Sequence, residues 1–217
     1  MENTMAIENE RKYIIDMELI DIDSITFDYD GEHYMVTQSY VDDGRIRKTE
    51  NIDGSIDYIF TWKKRKDNGS CIEIETIITI DDYIGLLAVS TNTITKYRIK
   101  MIHDGLDWDI DFLFKDNGKY DHYLTIAEVE MPEDQEIPEN LPYFVSRNLI
   151  YLIPRNLDDL WTNKKLSDID YTKQLIIDTS YKIPNTPVEI SPEAKKRSEK
   201  ILDEIRTRTA AKQEIYG

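Results

Sequence analysis

Ile7-Glu8-Asn9-Glu10-Arg11-Lys12-Tyr13 sets two carboxylates and an ammonium at a spacing of two residues. On a β-strand that spacing sends Glu8, Glu10 and Lys12 to one face of the sheet. A face built this way can hold a cation and an anion side by side.

The pattern recurs downstream. Runs rich in Ile, Thr, Tyr and Val with alternating polarity predict strands over residues 6–15, 34–40, 43–48, 57–64, 71–79, 93–101, 107–114 and 122–130. Asp30-Gly31, Asp43-Gly44, Asp53-Gly54, Asn68-Gly69 and Asn117-Gly118 supply turn chemistry between them. Eight strands at this spacing, mostly joined by tight turns, predict antiparallel pairing that closes into a barrel.

Charges inside these strands come in same-sign pairs at spacing two. Arg45 and Arg47 share a face, as do Glu73 and Glu75, Lys96 and Arg98, and Glu128 and Glu130. Asp107, Asp109 and Asp111 share one, while Trp108, Ile110 and Phe112 take the other; Thr61 and Lys63 pair in the same way. An ordinary half-exposed sheet also puts apolar residues inside and charges outside. Its solvent face, however, mixes Thr, Ser, Lys and Glu, and like charges on neighbouring positions repel. Two unit charges about 4 Å apart at an effective dielectric near 20 interact by ~4 kcal/mol. The pairs point instead to an inverted arrangement: apolar parity outward beneath covering helices and loops, charged parity lining the interior. Such a lumen is stable only when its charges pair with each other, with metal ions or with a bound polyanion.

Composition narrows the ligand. A formal charge of −16 over 217 residues argues against a nucleic-acid backbone as partner. Three histidines and a single cysteine, Cys71, exclude an internal disulfide and disfavour zinc. Any metal would be held by oxygen, which suits Mg²⁺ or Mn²⁺. No leader pattern and no apolar run of about 20 residues stands out, so a cytoplasmic location without membrane contact is expected.

Helices are fewer. Asp81 or Asp82 caps a short one through Leu87, and residues 157–178 carry a helical pattern with Leu157, Leu160 and Trp161 as apolar positions. Residues 132–154, with Pro132, Pro138, Pro142 and Pro154, read as an irregular connection. The expected division is a domain over 1–180 and a linker plus helical tail over 181–217, starting at Ser191-Pro192-Glu193. The tail's narrow stripe of Ala194, Ile201, Leu202 and Ile205 suits a solvated terminal helix, or docking that makes a homo-oligomer.

Glu8-x-Glu10-x-Lys12 resembles the signature of the CYTH superfamily, the triphosphate tunnel metalloenzymes. Gln38-Ser39-Tyr40 with Arg45-Ile46-Arg47, Thr61-Trp62-Lys63, Glu73-Ile74-Glu75, Lys96-Tyr97-Arg98, Trp108-Asp109-Ile110-Asp111-Phe112 and Ala127-Glu128-Val129-Glu130 resemble that family's later strands, in order, over residues 6–131. Ser39 departs from the family's usual glycine. The resemblance implies an α+β, mainly β, fold: an eight-stranded antiparallel closed tunnel with a few covering helices. It implies a divalent metal, Mg²⁺ or Mn²⁺, held by Glu8, Glu10, Asp111, Glu128 and Glu130, with Glu73 and Glu75 as further candidates. It implies a triphosphate held by Lys12, Arg45, Arg47, Lys63, Lys96 and Arg98.

The expected chemistry is metal-dependent hydrolysis of a small triphosphate (tripolyphosphate, thiamine triphosphate or a nucleoside triphosphate), with Lys12, Glu10 and Glu130 as catalytic residues. The alternatives within the resemblance are a class IV adenylate cyclase and an RNA 5′-triphosphatase. A polyphosphate- or nucleotide-binding module without turnover is the alternative of another class.

Overall fold

A computed structural model describes residues 9–16, 31–42, 44–65, 71–114 and 122–180. The chain divides into Met1–Lys182 and Ile183–Gly217. The second unit, with the expected tail helix, lies outside the described residues, and so does Glu8.

The described part is one antiparallel sheet with a few helices. Its strands are β1 (Glu10–Ile15), β2 (Glu32–Val41), β3 (Gly44–Asn51), β4 (Ile56–Arg65), β5 (Cys71–Ile77), β6 (Thr93–His103), β7 (Leu106–Phe114), β8 (His122–Glu130) and β9 (Leu149–Leu152). Their spatial order is β5-β4-β3-β2-β6-β7-β8-β1-β9. Two expectations change here. There are nine strands rather than eight, and pairing among the described residues leaves β5 and β9 as edges instead of closing a ring. The ninth strand falls in the proline-rich segment expected to be irregular, which also holds helix α2 (Tyr143–Asn148). The Asp104-Gly105 turn between β6 and β7 has positive φ at both positions, the geometry a two-residue hairpin of this twist requires.

Helix α1 (Ile80–Leu87) starts at a Thr79 N-cap, whose side chain accepts from the Asp82 backbone N–H. Asp82 reaches back to the Thr79 backbone, so it completes the cap rather than being the cap residue expected. The helical pattern over 157–178 resolves into a 3₁₀ helix (Arg155–Leu160) followed by α3 (Asn163–Leu166) and α4 (Ile169–Ser180).

The sheet has two unlike faces. Tyr13, Ile15, Ile99, Met101, Trp108, Ile110, Phe112, Ala127 and Val129 form the main core with Phe144 and Val145 of α2. These all have the parity opposite to the charged pairs, and α1 stacks its Tyr83 on Tyr58 of that same side. Helices α1 and α2 therefore cover part of the apolar parity, and Ile56 and Ile74 of its β4–β5 end stay exposed. A second apolar cluster sits on the charged parity: Ile14, Ile94, Leu113, Leu124 and Ile126 pack against Ile153, Trp161 and Leu166. The helices after β9 thus stand on the charged face and bound it on one side.

Candidate functional site

Strand register carries one face across the sheet, because directly paired residues point the same way. Glu10 and Lys12 stand opposite Glu130 and Glu128, which stand opposite Asp107 and Asp109. Asp109 and Asp111 stand opposite Lys100 and Arg98. Arg98 faces Tyr34 of β2. In the same strand Gln38 and Tyr40 face Arg47 and Arg45. Arg45 faces Thr61, and Thr61 and Lys63 face Glu75 and Glu73. Every sequence-derived candidate among the described residues therefore lies on a single face, where three groupings appear.

The first is acidic. Glu10, Asp107, Asp109, Glu128 and Glu130, with Lys100, line a cavity of about 110 Å³. The Lys12 ammonium bridges Glu10 and Glu128, at 2.6 Å from the latter. Burial, then the nearby Glu128 carboxylate, pushes Glu10 up to about 7 against the pull of Lys12. Burial would raise Glu128 too, but Lys12, Lys96 and Arg98 outweigh it and hold that carboxyl far below the usual range. Burial also raises Asp109, with Arg98 opposing, and its Oδ1 is buried without a hydrogen-bond partner.

The second group is buried. Lys96 donates to Asp111, and both side chains are 2% exposed. Arg98 grips the same carboxylate through Nε and Nη2, each at 2.6 Å, and also contacts Asp109 and, at 3.4 Å, Glu128. Burial works against ionised Asp111, but Arg98 and Lys96 together keep its pKa below normal. Burial and the adjacent Arg98 lower Lys96.

The third group lies on β3 to β5. Arg45 pairs with Glu73 at 3.0 Å and Glu75 at 3.6 Å, and Lys63 with Glu73 at 3.3 Å. Thr61 Oγ1 donates to Glu75 at 2.8 Å. Arg47 stands apart. Burial lowers its pKa, and so do Arg45 and Arg98. It forms no ion pair among the described residues, and its Nε is buried without a partner.

The expected metal set is thus split. Glu10, Glu128 and Glu130 share the acidic cavity, Glu73 and Glu75 belong to the third group, and Asp111 is occupied by two cations. Among the described residues no three His, Cys, Asp or Glu side chains converge as ligands on one point, since Glu10 and Glu128 turn to Lys12 and Asp109 to Arg98. The donor chemistry nevertheless fits a hard divalent cation: every acidic group at the cavity offers carboxylate oxygens, and the Lys12 ammonium already sits between two of them as a stand-in cation. Asp107, Asp109 and Lys100 were not among the site candidates. Their parity, shared with Asp111 and Arg98, was the signal that could have found them.

No family model matches the sequence, and no curated protein matches it. Among solved structures the chain is similar to one from the Schizosaccharomyces pombe Mediator head module, at 8% identity, with 79% of this chain and 94% of that chain covered and a TM-score of 0.36. A likeness at that level carries no argument about fold or activity.

Proposed function

We propose that the charged face binds a small triphosphate together with Mg²⁺ or Mn²⁺ and hydrolyses its terminal phosphoryl group, in a cytoplasmic setting. The observation that carries this reading is Arg47. A half-buried guanidinium beside Arg45 and Arg98, with its Nε enclosed, only the more distant Glu75 to offset the repulsion and no ion pair among the described residues, is costly unless an anion completes it. Its neighbourhood supplies part of what a phosphate chain needs: Arg45 and Arg98 act on it, and Tyr34 and Tyr40 lie within electrostatic reach. Lys63, on the same face as Arg45, and Lys12, on the same face as Glu128, would extend this set along the chain. Burial raises the pKa of both tyrosines, so they remain neutral hydrogen-bond donors.

We further propose that the sheet rolls about this face into a tunnel. Support comes from Tyr40 and Glu128, which interact electrostatically. Through Asp109 and Lys100, Glu128 is in register with Glu32. Tyr40 lies about eight residues further along β2, roughly 26 Å in a flat sheet. A flat sheet would also separate the two by three strand spacings of ~4.8 Å. A rolled one brings them within electrostatic reach of each other across the face.

In this reading Glu10, Glu128 and Glu130, with Asp107 and Asp109, would hold the metal. When bound it supplies Lewis-acid charge to phosphate oxygens and lowers the pKa of a coordinated water. Arg47, Arg45 and Lys63 bind and orient the phosphate chain, and Arg98 and Lys12 neutralise charge that grows on its oxygens. One observation favours the non-catalytic alternative: Glu10, Glu128 and Asp109 are engaged with cations, and among the described residues no three carboxylates converge as ligands.

A phosphate-release screen over tripolyphosphate, thiamine triphosphate and nucleotides, with Mg²⁺ and Mn²⁺ compared, tests this. Release is expected from at least one substrate, and Glu10→Gln or Glu130→Gln should abolish it while the fold survives. Near wild-type release by either variant would refute the site. Binding without release supports the sensor alternative, and pyrophosphate plus cyclic AMP from ATP supports a cyclase.

A further inference from the structure

We infer that Lys12 is an exchangeable internal counter-ion: its ammonium occupies the place between Glu10 and Glu128 that a divalent cation would take, and it moves to a phosphate oxygen when that cation arrives. The inference rests on the reading of the charged face as a joint metal and triphosphate site.

The pairing pattern carries it. Lys12 contacts both Glu10 and Glu128. Arg98 contacts Asp109, Asp111 and Glu128. Arg45 and Lys63 contact Glu73. Apart from Arg47, the cations suited to a polyanion are thus engaged by carboxylates, several of them suited to a metal, and the face largely neutralises itself. A metal arriving alone at Glu10 and Glu128 would strip Lys12 of both partners and leave an ammonium, 16% exposed, uncompensated. A polyanion arriving alone would draw Lys12 away and leave two crowded carboxylates. Arriving together, each ligand takes the partners the other frees. Metal and polyanion binding are therefore positively coupled, and the coupling is reciprocal. Arg47, without an ion pair among the described residues, is where an anion first gains contact without breaking anything.

Removing a cation that the active reading needs should then tighten metal binding. Lys100 is the control: it lines the same cavity, is exposed, and forms no ion pair among the described residues. Mn²⁺ affinity is measured by electron paramagnetic resonance with no phosphate present, on the wild type and on Lys12→Met, Lys12→Arg and Lys100→Met. Lys12→Met is expected to bind Mn²⁺ about tenfold more tightly than wild type, within the range typical of coupled sites. Lys12→Arg should stay near wild type and Lys100→Met should gain only about two- to threefold, the effect of one nearby charge in a high-dielectric setting.

Thermal unfolding provides a second readout. Lys12→Met should melt at a lower temperature than wild type without metal and recover with Mn²⁺. The inference is overturned if Lys12→Met binds Mn²⁺ no more tightly than wild type, if Lys100→Met matches it, or if saturating Mn²⁺ leaves Lys12→Met unfolded. Wild-type protein that neither binds nor cleaves tripolyphosphate with Mn²⁺ present would instead sink the triphosphate reading. The metal-only comparison would then still report on the Lys12 exchange by itself.

Discussion

Lys96 and Asp111 form an ion pair with both side chains almost fully enclosed, and Arg98 holds the same carboxylate from a second side. Asp111 is therefore the hub of two cations, Lys96 buried and Arg98 half-buried. Asp111→Asn leaves Lys96 and Arg98 without their shared anion and should destabilise the protein by about 3–5 kcal/mol. Lys96→Met should cost less, because Arg98 still satisfies the carboxylate. Urea unfolding of the two variants checks the order. An Asp111→Asn protein as stable as wild type would return Asp111 to the list of metal ligands.

Arg47 predicts the opposite balance. It is half-buried beside Arg45 and Arg98, which outweigh the nearby Glu75, and it has no ion-pair partner among the described residues. Arg47→Met removes a desolvated charge and its repulsion with Arg45 and Arg98. Stability should hold or rise, as it often does when a strained functional group is removed. Tripolyphosphate binding should weaken roughly 10- to 100-fold, the loss of one strong charge-assisted contact. Calorimetry and a melting curve on the same sample test both halves, and a destabilised variant with unchanged binding would remove Arg47 from the site.

Much of this was legible because parity is a local property. Glu73-Ile74-Glu75 and Lys96-Tyr97-Arg98 announce their faces without reference to anything distant, and the register bears out a common face for them. Pairing is not local. Leu149–Leu152 is only four residues long between prolines, and its place as a strand comes from β1 beside it. Whether β5 meets another edge depends on partners far away in sequence. Arg45 and Arg47 look equivalent in Arg45-Ile46-Arg47, yet among the described residues Glu73 and Glu75 form ion pairs only with the first. Resemblance to a motif picked out Asp111 and passed over Asp107 and Asp109, although all three share one parity.

Trp161 tests the apolar wall on the charged face. It is 1% exposed and packs with Ile14, Leu113 and Ile126. Trp161→Ala should cost about 3–5 kcal/mol through the cavity it leaves. Trp161→Phe should cost much less, since the indole N–H is buried without an acceptor and loses no hydrogen bond. Equal losses in the two variants, read from urea midpoints, would contradict that account.

Glu10 predicts a pH dependence of stability with a definite sign. Burial, and then Glu128, raises its pKa from the ordinary 4.5 to about 7. The native state therefore holds this proton more tightly than the unfolded chain does. The stabilisation is complete below about pH 4.5 and is lost as pH rises through about 7. Asp109, also raised by burial, acts in the same direction. Glu128 is shifted downward, so its contribution is present above 4.5 and fades only in acid. Metal-free protein should thus lose stability between pH 4.5 and 7, and Glu10→Gln should flatten that slope. A divalent cation competes with the same proton, so Mn²⁺ should bind more tightly as pH rises from about 6 to 8 and release protons on binding. Calorimetry in buffers of different ionisation heat counts those protons. A wild-type slope in Glu10→Gln, or binding with no proton release near pH 6, would show that the Glu10 carboxyl is ionised across this range and that its crowding against Glu128 is relieved without a metal.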